Sequence, residues 1–117
     1  MRIAVVSDIH GNLTALEAVI ADVDRVGADL VVHGGDLVGS GPRPADMIDR
    51  IRELHWPGVC GTTDQMLWMP DRVSTFLRAP NLQRIKALLL SHTIPETLAQ
   101  IGDDRLGWLK TLPLRSK

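Results

Sequence analysis

Cysteine is almost missing from this sequence. The single residue Cys60 has no partner for an internal disulfide, and one thiol is too few for a cysteine-based zinc finger. A reduced, cytosolic protein is the expectation that follows. Long apolar runs are missing too. The longest are of the kind Ala87–Leu90, far short of the roughly 20 residues that cross a bilayer. The apolar start, Ile3–Val6, meets Ser7-Asp8 too soon for a secretory signal. Neither sign of charge dominates. Thirteen Lys and Arg against fourteen Asp and Glu leave a net charge of −1, which gives no footprint for nucleic acid or an acidic membrane. There is no internal repeat and no low-complexity tract. Around Gly39-Ser40-Gly41 the full G-x-G-x-x-G pattern of a dinucleotide loop is absent. What is present is 44% apolar residues in a chain of 117, enough core for one domain and too much for a disordered segment.

The apolar residues are ordered. Ile3 to Val6 is a short, β-branched run that predicts a buried strand. Leu13, Leu16, Val19, Ile20, Val23 and Val26 then recur at spacings of three and four, the mark of one helix face. Asn12 fits the N-cap of that helix and Gly27 its stop. Leu30-Val31-Val32 predicts a second strand, ended by Gly34-Gly35-Asp36. Pro44 suits the first turn of a second helix, continued by Ile48, Ile51 and Leu54. Pro57–Gly61 reads as a third, short strand. Strand, helix, strand, helix, strand is the signature of a parallel sheet with helical crossovers, so the fold class expected is α/β with a βαβαβ core.

Beyond Gly61 the pattern changes. Asp64 to Pro80 is expected to be loop with broken helix, and Leu82, Ile85 and Leu89 suggest a helix. Thr93-Ile94-Pro95-Glu96 reads as a capping box opening a helix that stops at Gly102. Asp103 is expected to cap one more, with Leu106, Leu109 and Leu112 inward and Pro113 at its end.

In an open parallel sheet, ligands bind beyond the carboxyl ends of the strands. The first strand end carries Asp8 and His10, the second Asp36, and the third Thr62, Thr63 and Asp64. Carboxylate and imidazole with few thiols suit cations such as Mn²⁺, Fe or Zn²⁺. The other histidines have plainer expected roles. His33 is expected to be a packed or edge residue of its strand, and His55 to meet the end of a helix dipole. His92 sits away from the strand-end rim. Met66, Trp68 and Met69 are expected to cover the sheet or a neighbouring chain.

Ser7-Asp8-Ile9-His10-Gly11-Asn12 resembles the D-x-H motif of the calcineurin-like metallophosphoesterases. Gly35-Asp36, followed by Gly39-Ser40-Gly41-Pro42, resembles the family's second motif. Gly61-Thr62-Thr63-Asp64 sits where the third, G-N-x-D/E, is expected. Leu106–Pro113 looks like the helix that follows in the bacterial predicted-phosphodiesterase branch. The resemblance covers nearly all of the chain and roughly the first half of the family's usual domain. Residues 1–117 are therefore expected to form one domain, half of a four-layer α/β/β/α sandwich.

The resemblance implies a metal-dependent phosphoesterase, in which a metal-bound hydroxide attacks phosphomono- or phosphodiesters. Asp8 and His10 would hold the first metal and Asp36 would bridge to a second. Thr62, in place of the family's Asn, would be the remaining metal residue, and Asp64 would orient the site. The family's later histidine ligands have no counterpart before Lys117. Two further readings stay open: a degenerate relative that serves as a metal-binding or assembly module without turnover, and a mononucleotide-binding α/β protein. Half a sandwich would leave one sheet face bare, expected at Ile3, Val5, Val31 and Val59. Self-association through that face is the expectation.

Overall fold

The computed structural model describes residues 1–114. Strand β1 (Ile3–Val6) pairs in parallel with β2 (Leu30–His33), in the register Ile3 with Leu30 through Val6 with His33. Between them runs helix α1 (Leu13–Val26). Its ends follow the local chemistry. The Asn12 side chain accepts the Ala15 N–H at 3.0 Å, and Gly27 takes the left-handed conformation (φ 70°) that closes the last turn. Helix α2 (Pro44–Leu54) begins on its proline and buries Met47, Ile48 and Ile51.

The third strand is a correction. Only Gly58 pairs, next to His33, through His33 N–H to Pro57 O (3.0 Å) and Val59 N–H to His33 O (3.2 Å). Pro57 has no N–H to extend a ladder. At Cys60 the N–H turns away to the carbonyl of Pro113, at 2.7 Å. The α/β class and the parallel order stand, with two strands and a bridge among the described residues.

Helices α3 (Thr62–Gln65), α4 (Asp71–Phe76) and α5 (Gln83–Leu88) are short. Met66 and Leu67 join the core beside α3, with Trp68 packed against it. A wide turn over Leu89–Thr93 carries α5 into α6 (Ile94–Thr111). Thr93 is itself helical (φ −63°, ψ −49°) and makes no side-chain cap, so the expected capping box does not form. Capping needs a non-helical residue there, and the preceding helix runs straight on. The break at Gly102 (φ 74°, ψ 177°) is where the sequence places it. Gly102 supplies the non-helical residue there, and Asp103 lies inside the helix without a capping bond. Leu109 is buried beyond it, with Leu106 and Leu112 against the core. α6 lies on α2, tied by a two-pronged Arg105–Asp49 pair at 2.8 Å, and Arg52 stacks over Trp108 at 5.7 Å.

The bare sheet face also differs in detail. Paired residues of parallel strands share a face, so Ile3 and Val5 share theirs with Leu30 and Val32. Ile3, Val5 and Leu30 are 57%, 71% and 37% exposed, while Val31 pairs with Ala4 on the opposite side. No helix of the described residues is long and apolar enough to cross a membrane.

His33 is packed, as its place in the strand implies. It is 2% exposed, and its Nε2 has no hydrogen-bond partner. The ring lies where a side chain on Gly58 would stand. Gly58→Ala is therefore expected to cost about 1–3 kcal/mol in urea unfolding, as an overpacked site does. Adding His33→Ala is expected to cancel most of that loss, and strictly additive costs would contradict the contact. Burial holds the His33 pKa below its usual 6.5. A depressed histidine pKa contributes stability that is complete above 6.5 and lost as pH falls toward the folded-state value. The stability of the protein relative to His33→Leu is thus expected to shrink between pH 7 and pH 5, by up to about 1.4 kcal/mol per pH unit.

Candidate metal centre

The two strand tips stay joined after the regular ladder ends. Gly34 N–H donates to Val6 O, Asp8 N–H to Gly35 O, His10 N–H to Asp36 O and Gly11 N–H to Leu37 O, at 2.7–3.1 Å. To keep these bonds while turning sharply, Asp8, His10 and Asp36 all adopt positive φ, at 61°, 50° and 53°. Such left-handed residues other than glycine cost about 1 kcal/mol each, aspartate and histidine being among those that tolerate it. These three are among the four residues that sequence reasoning singles out as metal ligands, Thr62 being the fourth, and His55, at the end of α2, is the other non-glycine residue with positive φ among the described residues.

Their side chains converge. One ligand atom from each of Asp8, His10 and Asp36 lies within 4.8 Å of the others. His10 Nε2 stands 3.6 Å from Asp8 Oδ1. Its Nδ1 faces the Val38 carbonyl at 3.4 Å, which favours the proton on Nδ1 and leaves the Nε2 lone pair free toward the carboxylates. Ser7 Oγ donates to Asp8 Oδ2 at 2.5 Å. That bond is the main reason the Asp8 carboxyl titrates below its usual range, with Asp36 and His10 adding to it. Two carboxylates and one imidazole nitrogen at this spacing suit a hard or borderline divalent cation, so the donor set fits the expected group.

The segment after Gly58 braces this arrangement. Asp64 is fully buried, and its Oδ1 accepts the N–H groups of Leu37 (2.9 Å) and Val38 (3.1 Å). Its Oδ2 accepts the Gly61 N–H at 3.0 Å. One carboxylate thus caps α3 and pins the loop behind Asp36. Burial pushes its pKa up to about 6, against the pull of those N–H donors. Gly61 passes so close to Asp36 that any side chain there would strike the aspartate's own backbone nitrogen and Oδ1. Beside it the Cys60 thiol is pushed up to about 12, mainly by burial, and stays protonated.

Of the residues read from the sequence, Asp8, His10 and Asp36 come together, and Asp64 stands behind them. Thr62 opens α3 half-buried, and among the described residues its hydroxyl makes no hydrogen bond to the cluster. Its neighbour Thr63 is the residue that touches Asp36. Both the Thr63 N–H (3.0 Å) and its Oγ–H (2.9 Å) go to Asp36 Oδ1. Sequence reasoning names Thr63 at the third strand end and Ser7 within the first motif without giving either a role, and it misses the Val38 carbonyl. His55 ends α2 and His92 is exposed on the wide turn, both away from the cluster.

The chain is similar to known proteins in sequence and in fold. Residues 1–61 match the family model described as calcineurin-like phosphoesterase. An uncharacterized protein of Methanocaldococcus jannaschii is 44% identical over 112 residues, which is 96% of this chain and 42% of that protein. The crystal structure of a metallophosphoesterase from Sphaerobacter thermophilus aligns with a TM-score of 0.71 at 30% identity, over 100% of this chain and 43% of that one. The chain therefore spans less than half the length of either relative.

Removing the brace tests its role. Asp64→Asn puts an N–H₂ group against backbone N–H donors, and is expected to lower the unfolding free energy by about 1–3 kcal/mol. Chemical denaturation measures this directly. An unchanged midpoint would show that the three backbone donors do not depend on the carboxylate.

Proposed function

The chain belongs to the calcineurin-like phosphoesterase family, and from that premise we propose that Asp8, His10 and Asp36 hold a divalent cation that serves the hydrolysis of phosphate esters. The observation that carries this reading is the convergence of three left-handed strand-tip residues, whose ligand atoms lie within 4.8 Å of one another. When bound, such a cation supplies Lewis acidity, which makes water a nucleophile near neutral pH and offsets charge on the phosphoryl oxygens.

The chain's own residues hold and orient. His10 offers Nε2, with its other nitrogen toward Val38 O. Asp8 keeps one oxygen on Ser7 and turns the other toward His10. Asp64 orients the site through the backbone of Leu37 and Val38. Cys60, whose thiol burial keeps protonated, is not among the clustered candidate ligands. Mn²⁺, Fe and Zn²⁺ all match the donor set, and the single reduced thiol agrees with a cytosolic setting.

A second reading keeps the cation and drops turnover. It is favoured by Thr62, whose hydroxyl is a weaker ligand than the amide of the family's third motif and, among the described residues, makes no hydrogen bond to the cluster. Titration calorimetry with Mn²⁺ and hydrolysis of bis-para-nitrophenyl phosphate separate the two. The expected result is binding of about one ion per chain, weakened more than about a hundredfold by Asp36→Asn or His10→Ala. Metal-dependent hydrolysis, lost in the same variants, supports the enzyme. Binding without hydrolysis, also in Thr62→Asn, supports the module, and no binding contradicts both.

The exposed face at Ile3, Val5 and Leu30 supports association with a second copy of the chain. Light scattering at micromolar concentration is expected to give a mass above that of one chain, and a monodisperse monomer would contradict it.

A further inference from the structure

We propose that Thr63 is a positioning residue of the metal centre: by occupying Oδ1 of Asp36 it makes that carboxylate a one-oxygen ligand that meets the cation through Oδ2 alone. The Thr63 N–H and Oγ–H both end on Oδ1, at 3.0 and 2.9 Å. Gly61 closes over the same oxygen so tightly that a β-carbon there would collide with it. Thr63 is held in place in turn, because its Cβ lies 2.8 Å from where a side chain on Gly39 would begin. Two N–H or O–H donors and a backbone wall take up one carboxylate oxygen, and among the described residues the other accepts no hydrogen bond. Ser7 does the same to Asp8, whose Oδ2 it occupies. In each aspartate one oxygen is thus held by a neighbouring hydroxyl.

This arrangement carries a selectivity. A large cation such as Ca²⁺ readily takes carboxylates by both oxygens, whereas smaller ions with six or fewer ligands do well with one. Holding Oδ1 back disfavours the two-oxygen mode and so favours the smaller ion. Outer partners of this type commonly change metal affinity by 10–100-fold.

The inference rests on the proposed metal centre, and its test separates the two. Mn²⁺ and Ca²⁺ affinities of the whole chain are measured by calorimetry for the wild type, Thr63→Val and Thr63→Ser. Thr63→Val is expected to weaken Mn²⁺ about tenfold and to lower the Mn²⁺-to-Ca²⁺ affinity ratio at least threefold, with Thr63→Ser close to wild type in both. A wild type that does not bind Mn²⁺ contradicts the metal centre itself. Wild-type binding with Thr63→Val unchanged in affinity and ratio contradicts only the role of Thr63. An infrared difference spectrum of the wild type with and without Mn²⁺ needs no variant, and so covers the case in which Thr63→Val fails to fold. Widely separated carboxylate stretches, the mark of one-oxygen ligands, are expected. A narrow, chelating pair would overturn the proposal.

Discussion

The structure depends on the backbone bonds that keep two strand tips together after their ladder has ended. Asp8 bonds to Gly35, His10 to Asp36 and Gly11 to Leu37, across segments that have already left extended geometry. Parallel strands normally part at this point, and the crevice between them receives the ligand. Here the tips remain joined, and the chain turns by placing three side-chain-bearing residues in left-handed conformations. Strain of that kind persists where the surroundings overdetermine it. The same turns bring two carboxylates and an imidazole to one place.

A third segment keeps those turns from relaxing. The chain from Gly58 to Asp64 contributes little to the sheet and a great deal to the rim. Its glycines let the backbone lie directly on His33 and Asp36, and its acid takes three backbone N–H groups that would otherwise be orphaned. The buried Asp64 carboxylate costs stability as a charge, which its raised pKa records, and it offsets that cost with hydrogen bonds to a loop no sheet partner reaches. Helices α2 and α6 close the core behind this rim, so the strained loop stands on packed elements.

Much of this was legible in the sequence because it is local. Asn12, Gly27, Pro44 and Gly102 each act through their own backbone geometry, and each stands where its residue type predicts. The convergence of Asp8, His10 and Asp36 was legible because Asp8 and His10 share a strand end and Asp36 follows the next one. The third strand was not, because its failure depends on Cys60 bonding to Pro113, a residue more than fifty positions away. Thr93 misled because a capping sequence means little when the preceding helix continues into it. The face of Val31 turned on a register that starts one residue earlier, at Leu30, and a one-residue shift exchanges the faces. Thr63 was named at the third strand end but given no role, because only the fold places its hydroxyl on Asp36.

The proposed metal centre requires a single cation held between the two strand tips. Anomalous diffraction from crystals of the chain grown with Mn²⁺ tests it most directly. One strong peak within bonding distance of Asp8, His10 and Asp36 together is the result expected. Ordered density for all three side chains with no peak between them, or a peak that excludes Asp36, would contradict it.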